Sequence, residues 1–133
     1  MPYTQLIYQI VYTTKYRQYT LIQPGRSQLF EFMKSFLIGK GCYVHEINGV
    51  EDHLHIITHI HPSLALASLV KDLKLASTDF IKKNKLFPAF KSWGRGYGAF
   101  TYSIDSKAHL IAYVKNQEAH HRIVNSKEEL IKM

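Results

Sequence analysis

Polar and apolar residues alternate most cleanly from Glu51 to His61 (EDHLHIITHIH), where histidine trades places with leucine, isoleucine and threonine. Period-two alternation predicts a half-buried strand from Val50 to Ile60, ended by Pro62 and preceded by Asn48-Gly49, a pair suited to a tight hairpin turn. Its antiparallel partner is then Tyr43 to Ile47. Upstream, Tyr3 to Thr14 (YTQLIYQIVYTT) is rich in β-forming residues on both faces, which predicts a central strand. Between these segments Leu29, Phe30, Phe32, Met33, Phe36 and Leu37 recur at helical spacing. An amphipathic helix is therefore expected over Ser27 to Ile38, with Ser27 as its cap and Gly39 and Gly41 ending it.

Pro62-Ser63 then opens a long helix, Ser63 to Lys83. Leu64, Leu66, Leu69, Val70, Leu73, Leu75, Ala76, Phe80 and Ile81 are expected on its buried side, with Lys71, Lys74, Lys82, Lys83 and Lys85 mostly opposite. Leu86 to Gly98 (LFPAFKSWGRGYG) reads as a loop from its Pro and Gly content. Ala99 to Ile104 reads as a fourth strand, and Asp105 or Ser106 caps a final helix reaching His121. The order strand, helix, strand, strand, helix, strand, helix predicts a ferredoxin-like α+β fold. It is a four-stranded antiparallel sheet with helices packed on one face and a C-terminal helix bearing Tyr113. In that topology the first strand and the His53 strand are central neighbours. The 133 residues are read as one domain, 1–133.

Composition narrows the partners. Apolar residues at 46% and charged residues at 20% are ordinary for a soluble globular protein. Seventeen Lys and Arg against ten Asp and Glu give a net charge of +7, and 13% aromatics accompany it. That combination favours a polyanion such as nucleic acid. The single cysteine, Cys42, excludes an intramolecular disulfide and reads as a buried thiol in a reducing cytoplasm. No signal peptide is visible, and no apolar run approaches the roughly 20 residues of a membrane span.

The candidate chemistry starts from His53 and His55. Two apart on a strand, they share a face at roughly 7 Å spacing and form a two-pronged metal grip. On the final helix Tyr113 and Gln117 are four apart and share a face too. A carboxamide beside two imidazoles would complete a three-ligand site, with a phenol at its rim. Two-metal cleavage would need more carboxylates than Glu51 and Asp52, and a hydrolytic zinc site would need another strong ligand and a carboxylate base. A tyrosine nucleophile with one Lewis-acid ion needs less, and its phosphotyrosine product keeps the ester energy, which fits strand transfer. His59 and His61 form a second H-x-H at the strand's exit and rank lower. Lys15-Tyr16-Arg17 is either a solvated connection or a phosphate contact with base stacking. Taken singly, a strand H-x-H is often core histidine, and a helical Y-x-x-x-Q is common by chance.

Several segments in order resemble the single-tyrosine transposases of the His-hydrophobic-His (HUH) superfamily, including their REP-associated relatives. They are Lys15-Tyr16-Arg17, Asp52-His53-Leu54-His55, the Ser63 to Lys83 helix, Trp93 to Phe100 (WGRGYGAF) and Tyr113 to His121 (YVKNQEAHH). The resemblance implies that His53, His55 and Gln117 bind one divalent ion, Mg²⁺ or Mn²⁺, and that Tyr113 is the nucleophile. It implies cutting and rejoining of single-stranded DNA through a 5′-phosphotyrosine, guided by a DNA hairpin. It also implies a homodimer whose subunits can share the active site. DNA contacts would then fall to Lys15, Tyr16, Arg17, Lys91, Trp93 and Arg95. Other readings are a non-catalytic single-stranded nucleic-acid-binding module, including a truncated, inactive transposase copy ending at Met133, and a structural zinc protein.

Overall fold

In the computed structural model, residues 6–103 and 107–115 are described. The strands are β1 (Leu6–Thr13), β2 (Tyr43–Gly49), β3 (His53–His59) and β4 (Gly98–Ser103), and the helices are α1 (Gly25–Gly39), α2 (Leu66–Asn84) and α3 (Lys107–Lys115). A single 3₁₀ turn, Lys15–Arg17, follows β1. The sheet order is β2-β3-β1-β4 with every neighbouring pair antiparallel, so β1 and β3 are the central strands as the pattern predicts.

Strand alternation divides the sheet into two faces. Ile10 and Tyr12 of β1, with Leu54 and Ile56 of β3, point toward α1 and α2 and join the main core. Leu29, Met33 and Leu37 of α1 are wholly buried at successive i, i+4 positions against it. Ile7 and Ile57 point the other way, toward α3, where Val114 is buried and Tyr102, Ile111 and Tyr113 pack around them. The His strand is therefore covered on both faces: His53 to Thr58 are all buried, where alternation alone had suggested a half-buried strand.

Other departures have local causes. The β2–β3 turn comprises residues 50–52 rather than Asn48-Gly49, because β2 continues through Gly49, which pairs with Leu54. A Cβ on Gly49 would lie 2.4 Å from the His53 carbonyl oxygen and 2.7 Å from Leu54 Cα, so close backbone approach, not turn geometry, demands glycine here. Helix α1 begins at Gly25, and Gln23 Oε1 accepts hydrogen bonds from Ser27 N–H (3.0 Å) and Ser27 Oγ–H (3.1 Å); Gln23 supplies the cap expected of Ser27. Helix α2 begins at Leu66, after a turn in which Ser63 N–H and Oγ–H donate to His61 Nδ1. Leu75 is 62% exposed although it was assigned to the buried side. At about 100° per residue it stands some 200° round from Leu73 and Ser77, which are buried. Cys42 is buried, and burial raises its thiol pKa above the usual value. No described helix is long and apolar enough to cross a membrane.

Gly49→Ala forces a methyl into backbone atoms that side-chain rotation cannot clear. It is expected to destabilise the protein by about 1–3 kcal/mol, measured as a shifted denaturant midpoint at unchanged slope.

Candidate active site

His53 and His55 sit in mid-sheet opposite Thr13 and Val11 of β1, and both are completely buried. Their ring centroids are 5.2 Å apart with planes at 67°. Each ring is held at Nδ1 by a dedicated acceptor. His53 Nδ1 lies 2.8 Å from Asp52 Oδ1, and His55 Nδ1 lies 2.7 Å from Gln9 Oε1. Both acceptors are themselves fixed. Arg17 Nε donates to Asp52 Oδ2 at 3.3 Å, and Gln9 Nε2 donates to the Tyr102 hydroxyl at 3.0 Å. An acceptor at Nδ1 places the ring proton there and leaves the lone pair on Nε2, the tautomer and orientation that a metal-ligating histidine needs. Asp52 is itself buried, which a carboxylate tolerates when charge partners and hydrogen bonds surround it.

The spacing places both histidines on one face, as the structure has them, but it does not reveal their supports. A signal existed for Gln9, the lone carboxamide in the otherwise apolar face Ile7/Gln9/Val11 of a central strand. Asp52 adjoins His53, but only the hairpin geometry turns its carboxylate onto the neighbouring ring.

Helix α3 lies over this same face. Tyr113 packs into the small cluster of Ile7, Ile57 and Val114, and Ile57 is two residues along β3 from His55 and on the same face. At the helix end Asn48 Nδ2 donates to the Lys115 carbonyl at 3.4 Å, and Asn48 is paired with His55 in the ladder. The structure thus brings Tyr113 onto the imidazole face of its own sheet. Gln117 lies outside the described residues, as do His120 and His121.

The remaining candidates divide. Tyr16 is 83% exposed on the 3₁₀ turn, where Tyr16 (φ 57°) and Arg17 (φ 55°) both take left-handed backbone; Lys15 Nζ stands 5.4 Å from the Tyr16 ring. Arg17 is turned inward to Asp52. Lys91 and Arg95 are exposed. Trp93, expected among the DNA contacts, is in the core at 8% exposure. Its indole Nε1 donates to the buried Ser77 Oγ at 3.0 Å, and its ring meets Tyr12 and Phe90 edge-on, both at 5.0 Å. The Pro- and Gly-rich composition of its loop hid this, because the loop is docked through Phe87, Phe90 and Trp93 instead of standing in solvent. His59 Nδ1 lies 2.9 Å from His45 Nε2 of β2, and His61 is engaged by Ser63. Among the described residues no group of three or more His, Cys, Asp or Glu gathers as a metal site.

The sheet order β2-β3-β1-β4, with α1 and α2 on one face and an oriented H-x-H pair under α3 on the other, defines a ferredoxin-like α+β protein. More specifically, the chain belongs to the IS200-like transposase family, whose model matches residues 2–117. It is 24% identical over 123 residues to the ISDra2 transposase TnpA of Deinococcus radiodurans, covering 85% of this chain and 84% of that protein. Two solved structures share the fold at a TM-score of 0.66. One, a protein from Deinococcus radiodurans R1 described as a transposase, is 22% identical, with 88% of this chain and 95% of that chain covered. The other is a REP-associated tyrosine transposase bound to a REP hairpin, 11% identical, with 91% and 71% covered.

Because Trp93 is packed in the core, Trp93→Ala leaves a large cavity and should cost about 3–5 kcal/mol in thermal or chemical unfolding. A tryptophan serving only to stack on DNA would leave stability unchanged.

Proposed function

We propose that the protein cuts and rejoins single-stranded DNA through a covalent bond to Tyr113, with one divalent ion, Mg²⁺ or Mn²⁺, at His53 and His55. The observation that carries this reading is the pair of Nδ1 anchors, which spend a buried carboxylate and a buried carboxamide on orienting two imidazoles toward the face that the Tyr113 helix covers. A core histidine needs a partner for its polar atoms, but two neighbouring ones with the same nitrogen anchored is the arrangement of ligands. Gln117 is the proposed third ligand. An imidazole and carboxamide donor set suits Mn²⁺ at least as well as Mg²⁺, which prefers oxygen. When bound, the ion supplies Lewis-acid polarisation of the scissile phosphate.

The chain's own residues account for the rest. Tyr113 Oη, once deprotonated, attacks phosphorus; the O–P bond to tyrosine forms as the P–O3′ bond breaks, and the departing 3′ oxygen takes up a proton. A phenol with a reference pKa of about 10 is mostly protonated near neutrality, so the attack requires loss of the Tyr113 proton. Asp52 and Gln9 keep the ring protons on Nδ1 throughout. Reversal by another 3′ hydroxyl rejoins the strand, so the reaction is transfer without net hydrolysis. The hairpin bound by the REP-associated relative supports a hairpin as the recognised DNA feature here. A homodimer that shares its active sites also belongs to this proposal.

Wild-type protein incubated with Mn²⁺ and hairpin-bearing single strands from the DNA flanking its gene should give a protein–DNA adduct that survives denaturing electrophoresis. Tyr113→Phe should abolish the adduct and leave DNA binding within about twofold, the scale of a lost surface contact. Binding without any adduct from the wild type would point instead to a non-catalytic module. Asp52→Asn, which keeps the side chain's shape, should weaken Mn²⁺ affinity by roughly 10- to 100-fold in calorimetric titration.

A further inference from the structure

Strands β1 and β4 separate before the space between them closes. Their ladder runs as far as Val11 opposite Gly98, and pairing resumes only at the isolated bridge between Thr14 and Trp93. Tyr12 and Thr13 on one side therefore face the longer stretch Gly94 to Tyr97 on the other, and the surplus chain bows outward. Gly94 stays tight against β1, its N–H donating to the Thr13 carbonyl at 2.8 Å. A Cβ there would meet Thr13 Oγ1 at 2.7 Å. Gly96, at φ +73°, makes the bend.

The bow opens a cleft of 340 Å³ between Val11, Tyr12 and Thr13 on one wall and Arg95, Tyr97 and Phe100 on the other. That volume is at the lower end of small-ligand sites, about 300–1,000 Å³. Its position ties it to the histidines. Val11 is the ladder partner of His55 and Thr13 that of His53, while Phe100 is paired with Gln9, which anchors His55. At about 4.8 Å between strands, the far wall is roughly 10 Å from the imidazoles along the same sheet.

One residue holds the bow in shape. Lys74 of α2 reaches up so that Nζ donates to the Gly94 carbonyl (3.0 Å) and the Gly96 carbonyl (2.6 Å), with the Tyr12 ring 5.1 Å beneath it. Burial lowers the pKa of this ammonium, a cost offset by the two carbonyls and the ring face.

We propose that this cleft is a subsite for one nucleotide of the single strand flanking the cut, with Lys74 as the positioning residue that keeps it open. The inference rests on the DNA-cutting role argued above. The base lies against Tyr97 and Phe100, aromatic stacking being tolerant of base identity, and the phosphate lies at Arg95, whose planar guanidinium matches phosphate oxygens. The position of the cleft on the histidine sheet places this nucleotide within a step or two of the scissile bond.

The test walks an abasic residue along fluorescein-labelled single strands from the gene's flanks and reads binding anisotropy and cleavage. Wild-type protein should show one position near the cut where loss of the base weakens binding by about 5- to 100-fold. In Tyr97→Ala that penalty should vanish, because the stacking partner is already gone. Lys74→Met should likewise erase it, raising KM with little change in kcat, while Lys74→Arg, which keeps a donor, should restore part of it. If Lys74→Met fails to fold, Tyr97→Ala alone decides. A wild type that cuts DNA while Tyr97→Ala retains every abasic penalty would overturn the subsite and spare the DNA-cutting role. A wild type that neither binds nor cuts these strands would overturn both.

Discussion

Placing two imidazoles in the middle of a sheet is costly unless their polar atoms are satisfied, and the hydrogen bonds to Asp52 and Gln9 meet that requirement at Nδ1 of each ring. Those two bonds organise much else. They require an acid at the end of the hairpin turn, a carboxamide in the centre of an otherwise apolar strand, and a guanidinium to keep the buried acid compensated. Arg17 and the Tyr102 hydroxyl occupy the outer ends of the two chains, so the rings are braced from the 3₁₀ turn on one side and from β4 on the other.

The sheet works as a partition between two kinds of packing. On the α1/α2 side, long aliphatic and aromatic residues fill a continuous core, which sets the strands rigidly. On the other side a much smaller cluster under α3 shares its face with the histidines. Among the described residues, α3, which carries Tyr113, meets the sheet through this smaller cluster, and weakly packed elements are the ones that open first. A rigid sheet under the histidines and a smaller apolar cluster under the Tyr113 helix follow from one unequal division of the described hydrophobic residues.

Much of this could be read from the chain. The β1 and β3 assignments followed from residue type and alternation, the central pairing followed from topology, and His53 and His55 announced themselves by spacing. What was hidden was mostly a matter of tertiary contact. The burial of Trp93 depends on Ser77, sixteen residues earlier on α2, and nothing local to its glycine-rich loop reveals that bond. Gly49 mimics a turn glycine in sequence, yet it is there for cross-strand clearance. Leu75 was misplaced because a leucine-rich helix offers more apolar residues than its buried stripe can hold. The roles of Asp52 and Gln9 could only emerge once side chains from separate strands were set beside one another.

The short turn that ends in Asp52 has an evolutionary consequence. Surface turns ordinarily absorb insertions and deletions with little penalty. Here one added or missing residue would move the carboxylate off the first imidazole, or, if the strand slid to compensate, would rotate both histidines into the aliphatic core on the opposite side. Lineages that keep the chemistry should therefore vary this turn by substitution and almost never by length.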